Sequence, residues 1–191
     1  MDFSTLDTHA LLDWMMGLFT YQADSPLMMG SMPFALLFVC FLAIYTWLKS
    51  FSRTAMMMYV VCFSLFFAYK VNGPVMWLLP LTACINYAVT QEMRLHDGKS
   101  RKALLGFVVL VDLALLCYFK YTNFILGDVL NAMLSTNFSL QKIALPVGIS
   151  FYTFQAISYA VDTYKRKFDM DVTLLEYCFY LTFFPLLMAG P

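Results

Sequence analysis

Long apolar runs separated by short charged connections extend along most of this chain, and they restrict its fold more than any other feature. A bilayer core about 30 Å thick is crossed by roughly 20 helical residues, because lipid offers the backbone no outside hydrogen-bond partner. Six runs approach that length: 27–48, 54–69, 74–90, 103–119, 143–161 and 174–189. We therefore predict an all-α fold, a polytopic transmembrane bundle of about six spans that forms one transmembrane domain over residues 1–191.

The composition excludes a water-soluble fold. Hydrophobic residues make up 61% of the chain and charged residues 13%, whereas soluble domains carry about 25% charged residues. The 12 basic and 12 acidic residues balance, so nothing in the charge points to a nucleic-acid partner. The predicted partner is the lipid bilayer.

The positions of the basic residues predict an orientation, since Lys and Arg accumulate in cytoplasmic loops. Three alternate connections hold nine of the twelve: Lys49, Arg53, Arg94, Lys99, Arg101, Lys102, Lys165, Arg166 and Lys167. The segment before the first run has four aspartates and no Lys or Arg. We predict a multi-pass protein with an outward N-terminus, preceded on the outer surface by an interfacial helix over residues 9–19.

No metal site, phosphate loop or hydrolase triad is predicted. The five cysteines lie inside apolar runs without a close pair, and we interpret them as small packing residues. Both histidines, His9 and His96, lie outside the runs and are interpreted as solvated.

Asp112 is the clearest ionisable residue inside a predicted span. Placing such a side chain there costs at least ~2.5–3.5 kcal/mol on insertion scales, so it requires an explanation. Lys120 lies about 12 Å along the same helix, too far to pair, and a partner on another span is expected. Two interpretations stay open: Asp112 lines a polar cavity, or it makes a buried interhelical hydrogen bond.

The fifth predicted span carries a polar stripe. Its members recur at steps of three and four and so share one helical face: Gly148, Tyr152, Gln155, Tyr159 and Asp162. The neighbouring positions, such as Ile149 and Phe154, are apolar, so the stripe should face the bundle interior. It could position a substrate or hold helices together. A weaker stripe of Thr82, Asn86 and Thr90 follows Pro80, a predicted kink, and favours helix packing.

Two motifs are more specific than these patterns. Residues 145–162 read LPVGISFYTFQAISYAVD, and residues 180–191 read YLTFFPLLMAGP. They resemble the membrane-bound O-acyltransferase family, in its bacterial branch of alginate O-acetyltransferases and D-alanyl transfer proteins. The segments FKYTNF, at residues 119–124, and FTYQADSPL near the N-terminus also resemble that branch.

The resemblance implies an enzyme of the bacterial plasma (inner) membrane. Such an enzyme passes an acyl group, here an acetyl group, from a cytoplasmic thioester donor to hydroxyls of an exported polysaccharide. It implies no bound cofactor, only the acyl-CoA or acyl carrier protein that brings the acyl group. A periplasmic or extracellular acetylation partner is also implied.

The family's chemistry depends on an intramembrane histidine that lies well beyond the AGP motif. We therefore expect the chain to be the N-terminal portion of a longer acyltransferase, inactive alone, whose partner is the C-terminal half. No residue is carried over as catalytic. The predicted tunnel-lining residues are Tyr152, Gln155, Tyr159, Asp162 and Asp112. The alternatives are a noncatalytic helical membrane subunit with a structural or assembly role, and, less favoured, a transporter fragment.

Overall fold

The computed structural model describes residues 32–122, 146–167 and 171–189, and every regular element in those ranges is helical. The predicted all-α class is therefore confirmed. The predicted interfacial helix at residues 9–19 lies outside the described residues. The described chain divides into two compact units at residues 76 and 77, and each is presented by itself.

The first unit contains two helices of 20 residues, α1 (Met32–Phe51) and α2 (Arg53–Asn72). They pack through aromatic rings: the ring centroid of Phe41 lies 4.4 Å from that of Phe63 and 5.4 Å from that of Tyr59. The connection is a single residue, Ser52, whose hydroxyl accepts a hydrogen bond from the Ala55 amide at 3.4 Å. This N-cap satisfies one of the free amides of the first turn of α2 and so fixes where that helix begins.

The second unit contains five helices: α3 (Leu78–Leu95), α4 (Gly98–Thr122), α5 (Ile149–Tyr164), α6 (Leu174–Thr182) and α7 (Phe184–Ala189). The central helix, α5, packs against α4, α3, α6 and α7. A 3-10 turn, Gly73–Trp77, precedes α3 along the chain. Pro80 therefore lies in the first turn of α3, where its missing N–H costs no helical hydrogen bond. It marks a helix start and not the mid-span kink suggested by the sequence.

Three helical runs in the described residues are long and apolar enough to cross a membrane: Met32–Phe51, Arg53–Leu95 and Gly98–Thr122. The second has 43 residues, about twice the length of one crossing, and it contains both the second and the third predicted spans. The fifth predicted span forms the 16-residue helix α5, and the sixth falls in a shorter apolar stretch, Leu174–Leu186. The count of six spans stays a prediction.

The cysteines differ from the prediction of buried packing residues. Four of them, Cys40, Cys62, Cys84 and Cys117, are exposed on helix surfaces, and Cys178 is half-buried. The preference of a free thiol for the interior reflects its avoidance of water. On a helix that faces hydrocarbon, the surroundings are themselves apolar, and this preference no longer selects the interior.

Candidate functional site

Asp112 on α4 and Asn86 on α3 form the centre of a buried polar cluster. Each side chain is 2% exposed, and Nδ2 of Asn86 donates to Oδ1 of Asp112 at 2.9 Å. The partner expected on another span is thus Asn86. Its stripe neighbours turn to their own helix: Thr82 Oγ1 donates to the Leu78 carbonyl at 2.9 Å, and Thr90 Oγ1 to the Asn86 carbonyl at 2.8 Å. Only Asn86 of that stripe hydrogen-bonds across the helix interface in the described structure.

The second carboxylate oxygen of Asp112 is not engaged in the same way. Oδ2 is buried and has no hydrogen-bond partner in the described part of the chain, and the same holds for the hydroxyl of Tyr177 on α6. Tyr152 on α5 and Tyr177 both lie close enough to Asp112 to interact electrostatically with it. Four helices therefore contribute one residue each to what we call the Asp112 cluster: Asn86, Asp112, Tyr152 and Tyr177.

Aromatic rings border this cluster. The ring centroid of Tyr177 lies 4.7 Å from that of Tyr159 and 5.9 Å from that of Tyr87. The Tyr87 hydroxyl donates to the Val172 carbonyl at 3.1 Å, and Gln91 Nε2 donates to the same oxygen at 3.2 Å. These contacts attach the start of α6 to α3 and so place Tyr177 beside α5.

Only some residues of the predicted stripe of α5 lie at the Asp112 cluster. Tyr152 and Tyr159 are buried on the inner face, as expected, and Gln155 is half-buried with a buried Oε1 that accepts no hydrogen bond from the described residues. Asp162 differs, because it pairs with Lys167 at 2.6 Å beyond the end of the helix. It lies ten residues from Tyr152, about 15 Å along the axis. Ile149, named as an apolar neighbour of the stripe, is also buried.

A network of ion pairs lies at the end of the second unit where α4 begins and α5 ends. Asp97 pairs with both Arg101 and Arg166, and Arg94 lies 3.0 Å from Asp171. The two basic connections of this unit, predicted to lie on the same side of the membrane, are thus in contact. Arg101 is buried here, whereas charge patterning identified it only as one basic residue of a connection.

Sequence reasoning missed Tyr177 and Arg101. Tyr177 is one of several aromatic residues in an apolar run, without polar neighbours at helical spacing, so no pattern singled it out. No group of three His, Cys, Asp or Glu side chains in the described residues could hold a metal ion.

Comparison with known proteins finds relatives among bacterial polysaccharide acetylation enzymes. The chain is 43% identical over 94 residues to the probable alginate O-acetylase AlgI of Pseudomonas syringae pv. tomato, covering 48% of this chain and 18% of that protein. It is 42% identical over 86 residues to the corresponding protein of Pseudomonas aeruginosa, covering 44% and 16%. It is 30% identical over 185 residues to the peptidoglycan O-acetyltransferase of Helicobacter pylori, covering 83% and 35%.

These relatives confirm the resemblance to the alginate O-acetyltransferase branch of the membrane-bound O-acyltransferases. The matches cover less than a fifth of the two alginate O-acetylases and about a third of the peptidoglycan O-acetyltransferase. No model of a protein family and no solved structure matches the chain.

Proposed function

We propose that this relative of the bacterial O-acetyltransferases forms part of a membrane O-acyltransferase that passes an acetyl group from a cytoplasmic thioester donor to hydroxyls of an exported polysaccharide. The observation that carries the proposal is the match to the peptidoglycan O-acetyltransferase across 83% of the chain. The matches to alginate O-acetylases have higher identity over a shorter stretch, and the names of those proteins indicate alginate as a second candidate acceptor. The reaction class shared by both names is acetyl transfer to a sugar hydroxyl.

The Asp112 cluster suits a supporting role in that reaction. A sugar hydroxyl must lose its proton as its oxygen attacks the thioester carbonyl, and a fixed acceptor beside the hydroxyl orients it for this step. Asp112 Oδ2 is a buried acceptor without a partner in the described residues, on a carboxylate held in place by Asn86. We assign Asp112 and Tyr152 to positioning, with Gln155 and Tyr159 lining the same face. No residue of this chain is assigned as catalytic.

The proposed setting is the bacterial plasma membrane, with the basic connections in the cytoplasm and the N-terminus outward. Asp112 follows the buried Arg101 by eleven residues, so it lies about 16 Å along α4 from the basic end. This is about half the thickness of a bilayer core. A cluster at that depth would lie between the proposed donor, on the basic side, and the proposed acceptor, on the other side. The proposed partners are an acyl-CoA or acyl carrier protein and an external acetylation protein.

The test is acetyl transfer by membranes that contain the protein encoded by the whole reading frame around this chain. Labelled acetyl-CoA and, separately, a labelled acetyl carrier protein are supplied with alginate or with peptidoglycan as acceptor. Label is expected in at least one polymer as a base-labile ester, at a level absent from membranes without the protein. Stable insertion with no label in either polymer, from either donor, would contradict the proposal.

One observation favours a second candidate, a noncatalytic subunit whose polar faces serve assembly. The Asn86–Asp112 hydrogen bond already explains part of the buried polarity as a contact between helices. The assembly function predicts that Asp112 matters for accumulation of the protein and not for the rate of transfer. The acetyltransferase function predicts an effect on the rate at equal accumulation.

A further inference from the structure

Arg101 is buried, although the charge pattern placed it in a connection between two predicted spans. It is 6% exposed, and its Nη2 donates to the carbonyl of Thr163 at 2.7 Å. Its Nη1 lies 3.7 Å from Asp97 Oδ1, and its guanidinium lies 5.8 Å from the ring centroid of Tyr164. Burial of a guanidinium is costly unless its donors are engaged. These contacts engage Nη2 and Nη1 where the beginning of α4 meets the end of α5, whereas the buried Nε has no hydrogen-bond partner among the described residues.

The position of the Arg101–Thr163 contact determines how Asp112 on α4 is aligned with Tyr152 on α5. The first turn of α4 meets the last turn of α5, so the two helices run antiparallel. Asp112 follows Arg101 by eleven residues on α4, and Tyr152 precedes Thr163 by eleven residues on α5. Both intervals correspond to about 16 Å of helix, which places Asp112 and Tyr152 at the same level. Their electrostatic interaction agrees with that register.

Asp97 lies beside Arg101 at this contact. Its carboxylate also pairs with Arg166, so the connection before α4 is attached to the residues that follow α5. The Asp97 side chain is exposed, and ion pairs of exposed groups contribute little energy by themselves. The buried hydrogen bond to Thr163 is therefore the stronger of these polar constraints on the register, and it acts together with the packing of α4 against α5.

We propose that Arg101 is a positioning residue that sets the register between α4 and α5 and thereby brings Asp112 and Tyr152 to one level. The inference rests on the proposed function only where it gives Asp112 and Tyr152 a role in acetyl transfer. The register is a structural property that can be measured without any enzyme activity. A slip of one helical turn would separate the two side chains by about 5.4 Å.

Cross-linking tests the register directly. Leu104 on α4 packs against the buried cluster that contains Ala160 of α5, and in this register the two residues lie at one level, so the pair Leu104→Cys and Ala160→Cys reports the alignment of the two helices. The pair is placed in the full-length protein with its other cysteines replaced, and disulfide yield is measured in membranes after mild oxidation. High yield is expected with Arg101 present. Arg101→Ala should reduce the yield several-fold. It should also increase the yield of a second pair, Leu104→Cys with Ala156→Cys, whose α5 member lies one turn away.

Two variants separate register from general stability. Arg101→Lys keeps one donor for the Thr163 carbonyl and should restore much of the cross-linking. Lys102→Ala removes an adjacent exposed charge and should leave the yield unchanged. Unchanged yields in inserted Arg101→Ala protein would overturn the proposal. If Arg101→Ala does not accumulate, Arg101→Gln takes its place, and a yield equal to that of the Lys102→Ala control would again overturn it. Acetyl transfer is scored separately, so a register shift in a protein without transferase activity would contradict only the proposed function.

Discussion

At the scale of single residues, the structure shows which contact accommodates Asp112, a carboxylate inside a predicted span. A carboxylate inside a span requires a partner, and the partner of Asp112 is an amide on a neighbouring helix at 2.9 Å. Sequence predicted that such a partner exists but not which residue it is. Asn86 was identified only as the middle residue of the weak stripe of Thr82, Asn86 and Thr90. Such a stripe defines one face of a helix, but it does not predict which residues pack against that face.

Removal of the Asn86 amide should destabilise the protein by leaving Asp112 without this donor. We expect Asn86→Leu to lower the free energy of unfolding by about 1–3 kcal/mol, the cost of an unsatisfied buried polar group. The double variant Asn86→Leu with Asp112→Leu should recover most of that loss, because both partners are then apolar. Unfolding in mixed micelles measures both values. Losses that simply add would show that the two side chains are not coupled.

Tyr87, which is half-buried, and Tyr177, which is buried, provide a comparison of two tyrosine hydroxyls. Tyr87 donates its hydroxyl to the Val172 carbonyl, whereas the Tyr177 hydroxyl has no hydrogen-bond partner in the described residues. Tyr87→Phe should therefore cost about 0.5–1.5 kcal/mol, and Tyr177→Phe should be neutral or stabilising. The same unfolding assay compares them. A larger loss of unfolding free energy from Tyr177→Phe than from Tyr87→Phe would mean that the Tyr177 hydroxyl has a hydrogen-bond partner outside the described residues.

At the scale of elements, α5 shows what periodicity can and cannot predict. The three- and four-residue spacing correctly placed Tyr152 and Tyr159 on the inner face. It also included Asp162, which pairs beyond the end of the helix. Spacing defines a direction around an axis, but it does not report where the helix ends. The boundary depends on the Asp162–Lys167 pair and on Arg166, whose backbone φ of 53° departs from the helical range.

The start of α5 depends on a glycine. Gly148 precedes the helix with φ 85°, a left-handed conformation that L residues adopt at a cost of about 1–2 kcal/mol. Gly148→Ala should lower the unfolding free energy by that amount. The control is Gly106→Ala inside α4, where an added Cβ meets no atom within 4 Å and helix propensity favours alanine by up to about 1 kcal/mol. Equal effects of the two substitutions would contradict this account of the N-terminus of α5.

At the scale of the whole molecule, the sequence predicted the all-α fold class and assigned two basic connections to one side of the membrane. It did not predict the contacts between helices that form the Asp112 cluster or bury Arg101. Apolar length and charge alternation are properties of single helices, and they suffice for an all-α membrane protein. The Asp112 cluster needs four helices at once, and its members on α3 and α6 come from positions that single-helix patterns rank low. The burial of Arg101 likewise depends on the carbonyl of Thr163, which lies 62 residues away in the sequence.

The shared side of the basic connections can be tested by labelling. Lys99→Cys and Lys165→Cys, in a background without other cysteines, should react with a membrane-impermeant maleimide only from the cytoplasmic side. Tyr121→Cys, at the far end of α4, should react only from the outside, because 25 residues of helix span about 38 Å. Labelling of positions 99 and 165 from opposite sides would be incompatible with the contacts of Asp97.

The most direct test of the central claim is the rate of acetyl transfer in Asp112→Asn protein at matched membrane levels. Asparagine can still accept the hydrogen bond from Asn86 through its carbonyl, but it places an NH2 group where Oδ2 would accept a hydrogen bond from the sugar hydroxyl. The account predicts a fall of roughly tenfold to a hundredfold, the equivalent of a lost hydrogen bond to a charged group, with the Lys102→Ala control unaffected. A normal rate of transfer in Asp112→Asn protein would contradict the claim that this buried cluster serves the reaction.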